Sequence, residues 1–296
     1  MPVPQRIAIT GASGLIGTAL VGHLKSEGHT VQRLVRRTPI SADEVQWDPQ
    51  TGFVDLEPLR GVDAIIHLAG VGVGDKRWNK KYKSEILNSR LLGTTAIAHA
   101  VAELKPQVFI SASAIGWYGE SGNRAVVETD RAGDDFLAAV CREWEGAADL
   151  AGDTRTVKIR TGLVLDPTGG ALGKMLPLFR LGLGGKMGNG KQWWSWITLH
   201  DQIRAIVFAL ENPISGPVNL TAPNPVTNQE FTSALARAMH RPALFPVPGI
   251  ALKIALGGFS TEILGSKKVI PHVLQEAGFT WDYPHISEAL GKLVED

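Results

Sequence analysis

Residues 6–17 read Arg6-Ile-Ala-Ile-Thr10-Gly11-Ala-Ser-Gly14-Leu-Ile-Gly17, and this stretch decides the fold. Ile7 and Ile9 sit in a short apolar run that reads as a buried strand, and the glycines fall where that strand turns into a helix beginning near Leu15. Gly11 allows a tight turn, Gly14 lets a pyrophosphate approach the backbone with no Cβ in the way, and Gly17 lets the new helix pack closely. The helix N-terminus adds unpaired N–H groups and a partial positive charge, so the turn is an anion site. A glycine run alone is also what an ordinary strand-to-helix turn looks like.

Context strengthens the nucleotide reading. The run opens an amphipathic helix (Leu15, Ile16, Leu20, Leu24), and a second apolar strand over Thr30–Val35 completes a βαβ unit of the expected size. The Gly-x-x-Gly-x-x-Gly spacing differs by one residue from the commonest dinucleotide fingerprint. It resembles the glycine motif of the short-chain dehydrogenase/reductase superfamily in its extended form.

Composition narrows the class. At 296 residues with 44% hydrophobic content the chain can bury one large core or two modest ones. A formal charge of +1 with 20% charged residues indicates neither a nucleic-acid footprint nor a polybasic membrane patch. A single cysteine, Cys141, rules out an internal disulfide framework and makes a reducing, cytoplasmic compartment the expectation. No signal-peptide core and no apolar run of membrane-spanning length is present. No metal-ligand pattern stands out.

After the second strand come Arg36 and Arg37, where an NAD-preferring site carries an acid for the ribose 2′-hydroxyl. Two guanidiniums there suit a 2′-phosphate, which favours NADP(H) over NAD; a solvated basic turn is the alternative. A third strand over 44–48 ends at Asp48, and 62–70 reads as a fourth, apolar throughout as a sheet covered on both faces requires. The small Ala69 and Gly70 at its end let a ribose and phosphate lie close. His67 on that strand reads as a satisfied core histidine ahead of a catalytic base. A long helix over 79–104 carries Glu85 and Arg90, a strand over 107–112 leads into Ser113-Ala-Ile-Gly-Trp-Tyr118-Gly, and a helix over 134–150 carries Cys141, Trp144 and Glu145. With a strand over 154–161, the pattern is α/β: a doubly wound parallel (Rossmann) sheet. Residues 1–165 form the nucleotide-binding domain, with 201–220 returning to its sheet. Residues 166–200 and 221–296 form a smaller, interleaved C-terminal α+β domain on the substrate side of a cleft.

The matching stretches TGASGLIG (10–17), HLAG (67–70), SEILNSR (84–90), SASAIGWYG (111–119), GDDFLAAVCREWE (133–145), SWITLHD (195–201), LTAPNPVTNQEF (220–231) and GFTWDYP (278–284) cover nearly the whole chain. Together they resemble the atypical extended short-chain dehydrogenases/reductases called epimerase-family proteins, sometimes labelled cell-division inhibitors, which carry a C-terminal domain of unknown function. The resemblance implies bound NADP(H) contacted by Gly11, Ser13, Gly14, Leu15, Ile16 and Gly17. It further implies Arg36 and Arg37 at the 2′-phosphate, Asp48 at adenine, and Leu68, Ala69, Gly70, Glu85, Arg90, Ser111 and Val164 along the cofactor. Extended relatives dimerise through the helices around 79–104 and 134–150, so a homodimer is an expectation of the same kind.

Active members of that superfamily use a Ser or Thr, a Tyr, and a Lys four residues after the Tyr. The Lys lowers the Tyr pKa and holds the ribose. Ser113 matches the first. Aligning Glu145 with the glutamate that follows the Lys by four places Leu137 and Cys141 at the Tyr and Lys positions, and neither can do that work. Tyr118 is the substitute acid, or else a structural phenol; Cys141 reads as a small buried hydrophobe. Trp193, Trp194 and Trp196 either stack on a flat substrate or form interdomain core. Two functions follow: hydride transfer on a small polar, nucleotide-sugar-like substrate, with Ser113 positioning and Tyr118 as acid, or a non-catalytic NADPH-binding protein that regulates a partner.

Overall fold

The computed structural model describes residues 3–295. Its centre is an eight-stranded sheet of β1 (Arg6–Thr10), β2 (Thr30–Val35), β3 (Glu44–Asp48), β4 (Phe53–Val54), β5 (Ala64–His67), β6 (Val108–Ala114), β7 (Arg155–Thr161) and β8 (Gly216–Leu220). The spatial order is β8-β7-β6-β5-β1-β2-β3-β4. Every neighbouring pair is parallel except β3 and β4, an antiparallel edge too short to carry a periodic signal in the sequence.

Helices α1 (Leu15–Ser26), α2 (Lys80–Leu104), α3 (Phe136–Ala148), α4 (Gly170–Arg180), α5 (Leu199–Glu211), α6 (Asn228–Ala238) and α7 (Gly249–Leu256) follow, then α8 (Ser260–Leu264), α9 (His272–Glu276) and α10 (Ile286–Glu295). Alternation along β1 feeds two cores. Ile7 and Ile9 pack with Leu20 and Leu24 of α1 and Ile206 of α5, while Ala8 faces Trp47, Ile97 and Val101 on the α2 side. The chain therefore reverses direction across the sheet between β1 and β5, where such sheets open a crevice at their carboxyl ends.

The strand over 107–112 runs on to Ala114, and β8 pairs with β7 at the end of the sheet. Helix α4 has no counterpart in the sequence reading, because Pro177 interrupts its pattern. Its buried face, Leu172, Leu176 and Phe179, joins Trp196, Phe231, Leu235 and Leu290 in a separate core for the C-terminal region. Trp196 is fully buried there and Trp194 packs on Phe231 with ring centroids 5.2 Å apart, so these two tryptophans are core.

The SWITLHD and GFTWDYP stretches meet. Asp201, fully buried at the start of α5, accepts the Asp282 and Tyr283 amides at 3.0 Å each and Arg204 at 2.9 Å, while Arg204 also donates to the Thr280 carbonyl. These motif residues latch the C-terminal tail to the sheet layer. Their carboxylates serve structure.

Candidate nucleotide site

Gly11 has φ +69°, and a Cβ there would lie 2.8 Å from the Ala69 nitrogen; at Gly17 it would lie 2.1 Å from the Gly11 carbonyl oxygen. Only glycine fits either place, so the turn is clamped between the end of β5 and α1. Gly14 differs: a Cβ would meet only the Gly11 oxygen, at 3.4 Å, leaving its outer side open. Gly14 and Ser13 are exposed, Leu15 and Ile16 half-buried, and no side chain among the described residues caps α1. An anion cradle built of backbone N–H groups results.

Thr10 ties this turn to β5. Its hydroxyl meets His67 Nδ1 at 2.7 Å and accepts the Leu68 and Ala69 amides at 3.1 and 3.3 Å. His67 is fully buried with Trp47 edge-on at 5.9 Å, and burial pulls its pKa down to about 3. The imidazole is neutral and structural. Because its folded pKa lies below the unfolded value near 6.5, the unfolded chain takes up a proton that the folded one refuses. Stability is therefore complete above that value and falls as pH drops below it, by about 1 kcal/mol by pH ~5.5. Urea unfolding at the two pH values checks this, and His67→Gln is expected to flatten the difference.

At the far end of the crevice the sheet register brings in an acid that is distant along the chain. Glu44 lies seven residues beyond Arg37 in the chain, yet β3 pairs with β2 so that Glu44 stands beside Arg33. Its buried carboxylate is gripped by Arg37 at 2.6 and 2.8 Å and lies 3.3 Å from Arg33. The Arg37 guanidinium holds Glu44 below the usual carboxylate range. Arg37 is thus a braced cation, whereas Arg36 is exposed with no ion pair among the described residues. Asp48 is half-buried, and its carboxylate accepts the Gln50 amide and the Thr51 hydroxyl within the β3–β4 turn.

Along the crevice, Leu68 and Ala69 are half-buried and Gly70 is exposed beside the Arg90 guanidinium. Arg90 donates to the Val71 and Ile86 carbonyls, stacks over Trp144 at 4.8 Å and has no carboxylate partner among the described residues. Glu85 reaches Lys76 at 3.5 Å. Val164, half-buried, lies in the short strand Leu163–Asp166 beside the Gly170 turn, where a Cβ added at Gly169 would meet the Leu15 side chain. Ser111 is 1% exposed, held inside the sheet away from the rim.

The two residues read as catalytic are both committed elsewhere. Ser113 and Arg160 are cross-strand partners on β6 and β7, and Glu145 of α3 covers them. Ser113 donates to Glu145 at 2.7 Å, and Arg160 grips both Glu145 oxygens at 2.8 and 2.9 Å. Tyr118, 3% exposed, donates to Asn219 Oδ1 at 2.7 Å and accepts from Arg160 at 3.1 Å. Burial pushes its pKa up to about 12, against the pull of Arg160. Tyr118 thus has the surroundings of the structural phenol and not those of an acid open to the cleft. Sequence could not show this, because Asn219 lies 101 residues away. Cys141, 2% exposed, donates to the Ala114 carbonyl, and burial followed by the Glu145 charge raises its pKa to about 12. Leu137 packs with Trp78 and Val140, and Phe136 and Phe259 close over them. No proton donor with an accessible pKa faces the crevice at the Tyr and Lys positions.

Comparisons agree with this architecture. The NAD dependent epimerase/dehydratase family matches residues 7–138, and a domain of unknown function (DUF1731) matches residues 247–293. An epimerase family protein of Mycobacterium leprae is 46% identical over 289 residues, covering 96% of this chain and 94% of its own. The crystal structure of human epimerase family protein SDR39U1 (isoform 2) with NADPH superposes with a TM-score of 0.91 at 33% identity, covering 98% and 99% of the two chains. The nucleoside-diphosphate sugar epimerase from Corynebacterium glutamicum is 36% identical with a TM-score of 0.80; it covers 99% of this chain, which spans 59% of its length. With this extent of identity on a shared extended short-chain dehydrogenase/reductase fold, the chain belongs to the epimerase family of proteins that join a dinucleotide-binding domain to DUF1731.

Proposed function

We propose that this chain binds NADP(H) and retains it without the tyrosine–lysine proton relay of active superfamily members, acting as a nucleotide-dependent regulatory protein. One observation carries the reading: an intact cradle beside a relay whose two positions hold Leu137 and the buried Cys141. The uncapped α1 N-terminus and open Gly14 suit a pyrophosphate, and Arg36 with the braced Arg37 suits a 2′-phosphate. The nicotinamide, when bound, supplies hydride chemistry. The chain's part is to bind, orient and exclude water with the Trp78, Phe136 and Leu137 cluster. Human SDR39U1 was crystallised with NADPH, which supports the cofactor.

Hydride transfer on a nucleotide-sugar-like substrate is the rival reading, favoured by the name of the Corynebacterium relative. It needs a proton partner that Ser113, Tyr118 and Cys141 do not offer. Calorimetric titration of the purified protein is expected to show NADPH binding well ahead of NADH. Mixing the complex with nucleotide sugars and small carbonyl compounds is expected to leave nicotinamide absorbance unchanged. Absence of heat with either dinucleotide overturns the cofactor assignment; substrate-dependent oxidation overturns the regulatory one.

Tyr118→Phe separates the roles. Loss of its hydroxyl leaves Asn219 and Arg160 each short of a buried partner, for an expected cost of about 1–2 kcal/mol in unfolding free energy. NADPH affinity is expected to stay within about twofold, since the phenol faces the core.

A further inference from the structure

The chain's charge of +1 conceals a strong local asymmetry. It carries 29 acids, yet none falls between Asp166 and Asp201 or between Glu230 and Glu262, while these two acid-free stretches hold seven lysines and arginines. The structure brings the two stretches together. The Arg180 carbonyl accepts from Arg241 at 3.2 Å, the Phe245 amide donates to Gly184, the Val247 amide donates to Lys186 at 2.8 Å, and Gly188 returns a bond to Val247 at 2.9 Å. The end of α4, its glycine-rich extension and the lead into α7 therefore form one surface.

That surface is apolar as well as basic. Leu178, Leu181 and Leu183 are 51, 72 and 50% exposed on one strip, and Leu244 and Phe245 are 74 and 57% exposed on the other. Helix α7 reads GIALKIAL; of its six apolar residues only Leu252 is buried, leaving Ile250 and Ile254 more than 70% exposed. A helix apolar around most of its girth belongs in an interior or at an interface. The same two stretches carry Lys174, Arg180 and Lys186 on one side and Arg237, Arg241 and Lys253 on the other, all but Lys186 exposed. The acids closing the stretches are occupied: Glu262 is paired with Lys267 at 2.8 Å, and Glu230 caps α6.

We infer that this face docks on the surface of a bilayer containing anionic lipid. Apolar side chains enter the headgroup boundary while the surrounding cations meet lipid phosphates, which is the chemistry of a peripheral amphipathic anchor. A second copy is the weaker occupant, because an isologous contact sets these acid-free, basic stretches against themselves and opposes like charges. The docked face adjoins the crevice rim: Lys174 of α4 bonds the Gly74 carbonyl, and Gly257, just after α7, bridges to Trp78. A net charge near zero points away from membranes only by averaging this face with the acidic remainder.

The test is co-sedimentation of the whole chain with extruded vesicles of phosphatidylcholine alone or with about one-third phosphatidylglycerol. Binding to the anionic vesicles, its loss on raising salt, and little binding to the neutral ones are expected. Ile250→Asp with Ile254→Asp, at positions outside the core, is expected to abolish binding with an unchanged circular dichroism melt. Arg180→Glu or Lys253→Glu is expected to weaken it at least about fivefold. No vesicle binding, or equal binding to both compositions, overturns the inference. So does concentration-dependent self-association that the isoleucine variant removes, which would make the face a contact between copies.

Discussion

Replacing Arg36 and Arg37 together by alanine is expected to weaken NADPH binding about a hundredfold, with NADH affinity changed no more than about threefold. Each guanidinium–phosphate contact is charge-assisted and contributes about 1.5–3 kcal/mol, and NADH has no 2′-phosphate to lose. The single variants should differ, because the structure gives the two arginines different surroundings. Arg36 has no ion pair among the described residues, so under the proposed assignment Arg36→Ala removes one phosphate contact and nothing else. Arg37→Ala also releases Glu44, whose carboxylate then keeps only Arg33 at 3.3 Å and the Ile40 amide at 2.9 Å. Without Arg37 the Glu44 carboxylate, at the start of β3 beside β2, is expected to repel a 2′-phosphate and to accept a ribose 2′-hydroxyl, the arrangement of NAD-preferring sites. Arg37→Ala is therefore expected to lower NADPH affinity and raise that for NADH. Calorimetry with both dinucleotides on the three variants checks this; parallel losses for the two ligands would remove the 2′-phosphate assignment.

Glu44 also marks how far sequence reading reaches. The first βαβ unit was legible because its strands, buried on both faces, are continuously apolar, and its glycines have no substitutes at Gly11 and Gly17. Glu44 lies seven residues beyond Arg37 in the chain, and only parallel pairing of β3 with β2 brings it to the Arg33 level. Tyr118 and Ser113 carry the right chemistry in the right motif, but their hydroxyls are claimed by Asn219 and Glu145, contacts no local window contains. Cys141 and His67 were readable because a lone polar residue in an apolar pattern is most simply core. Whole-chain charge, finally, says nothing of the basic, apolar surface around α7, which forms only once the acid-free stretches 167–200 and 231–261 fold side by side.

The buried polar network makes the second large prediction. Arg160, 2% exposed, joins Glu145, Tyr118 and the Glu128 carbonyl while stacking over Trp117 at 3.9 Å. Arg160→Met keeps much of the volume but strands the Glu145 carboxylate among Ser113 and apolar neighbours. A buried charge stripped of its partner costs about 3–5 kcal/mol, so the variant is expected to lose a large part of the fold's stability. The pair itself contributes far less, because desolvation offsets its attraction; Arg160→Met with Glu145→Leu should therefore recover most of the loss. Urea unfolding of the two singles and the double closes the cycle. If the double variant is as unstable as the sum of the singles, the two side chains act independently and the ion pair is not what holds β6, β7 and α3 in register. If it recovers while NADPH affinity is unchanged throughout, the Ser–Glu–Arg–Tyr cluster is scaffold, and the chemistry of the crevice rests on what the α1 turn and the arginines bind.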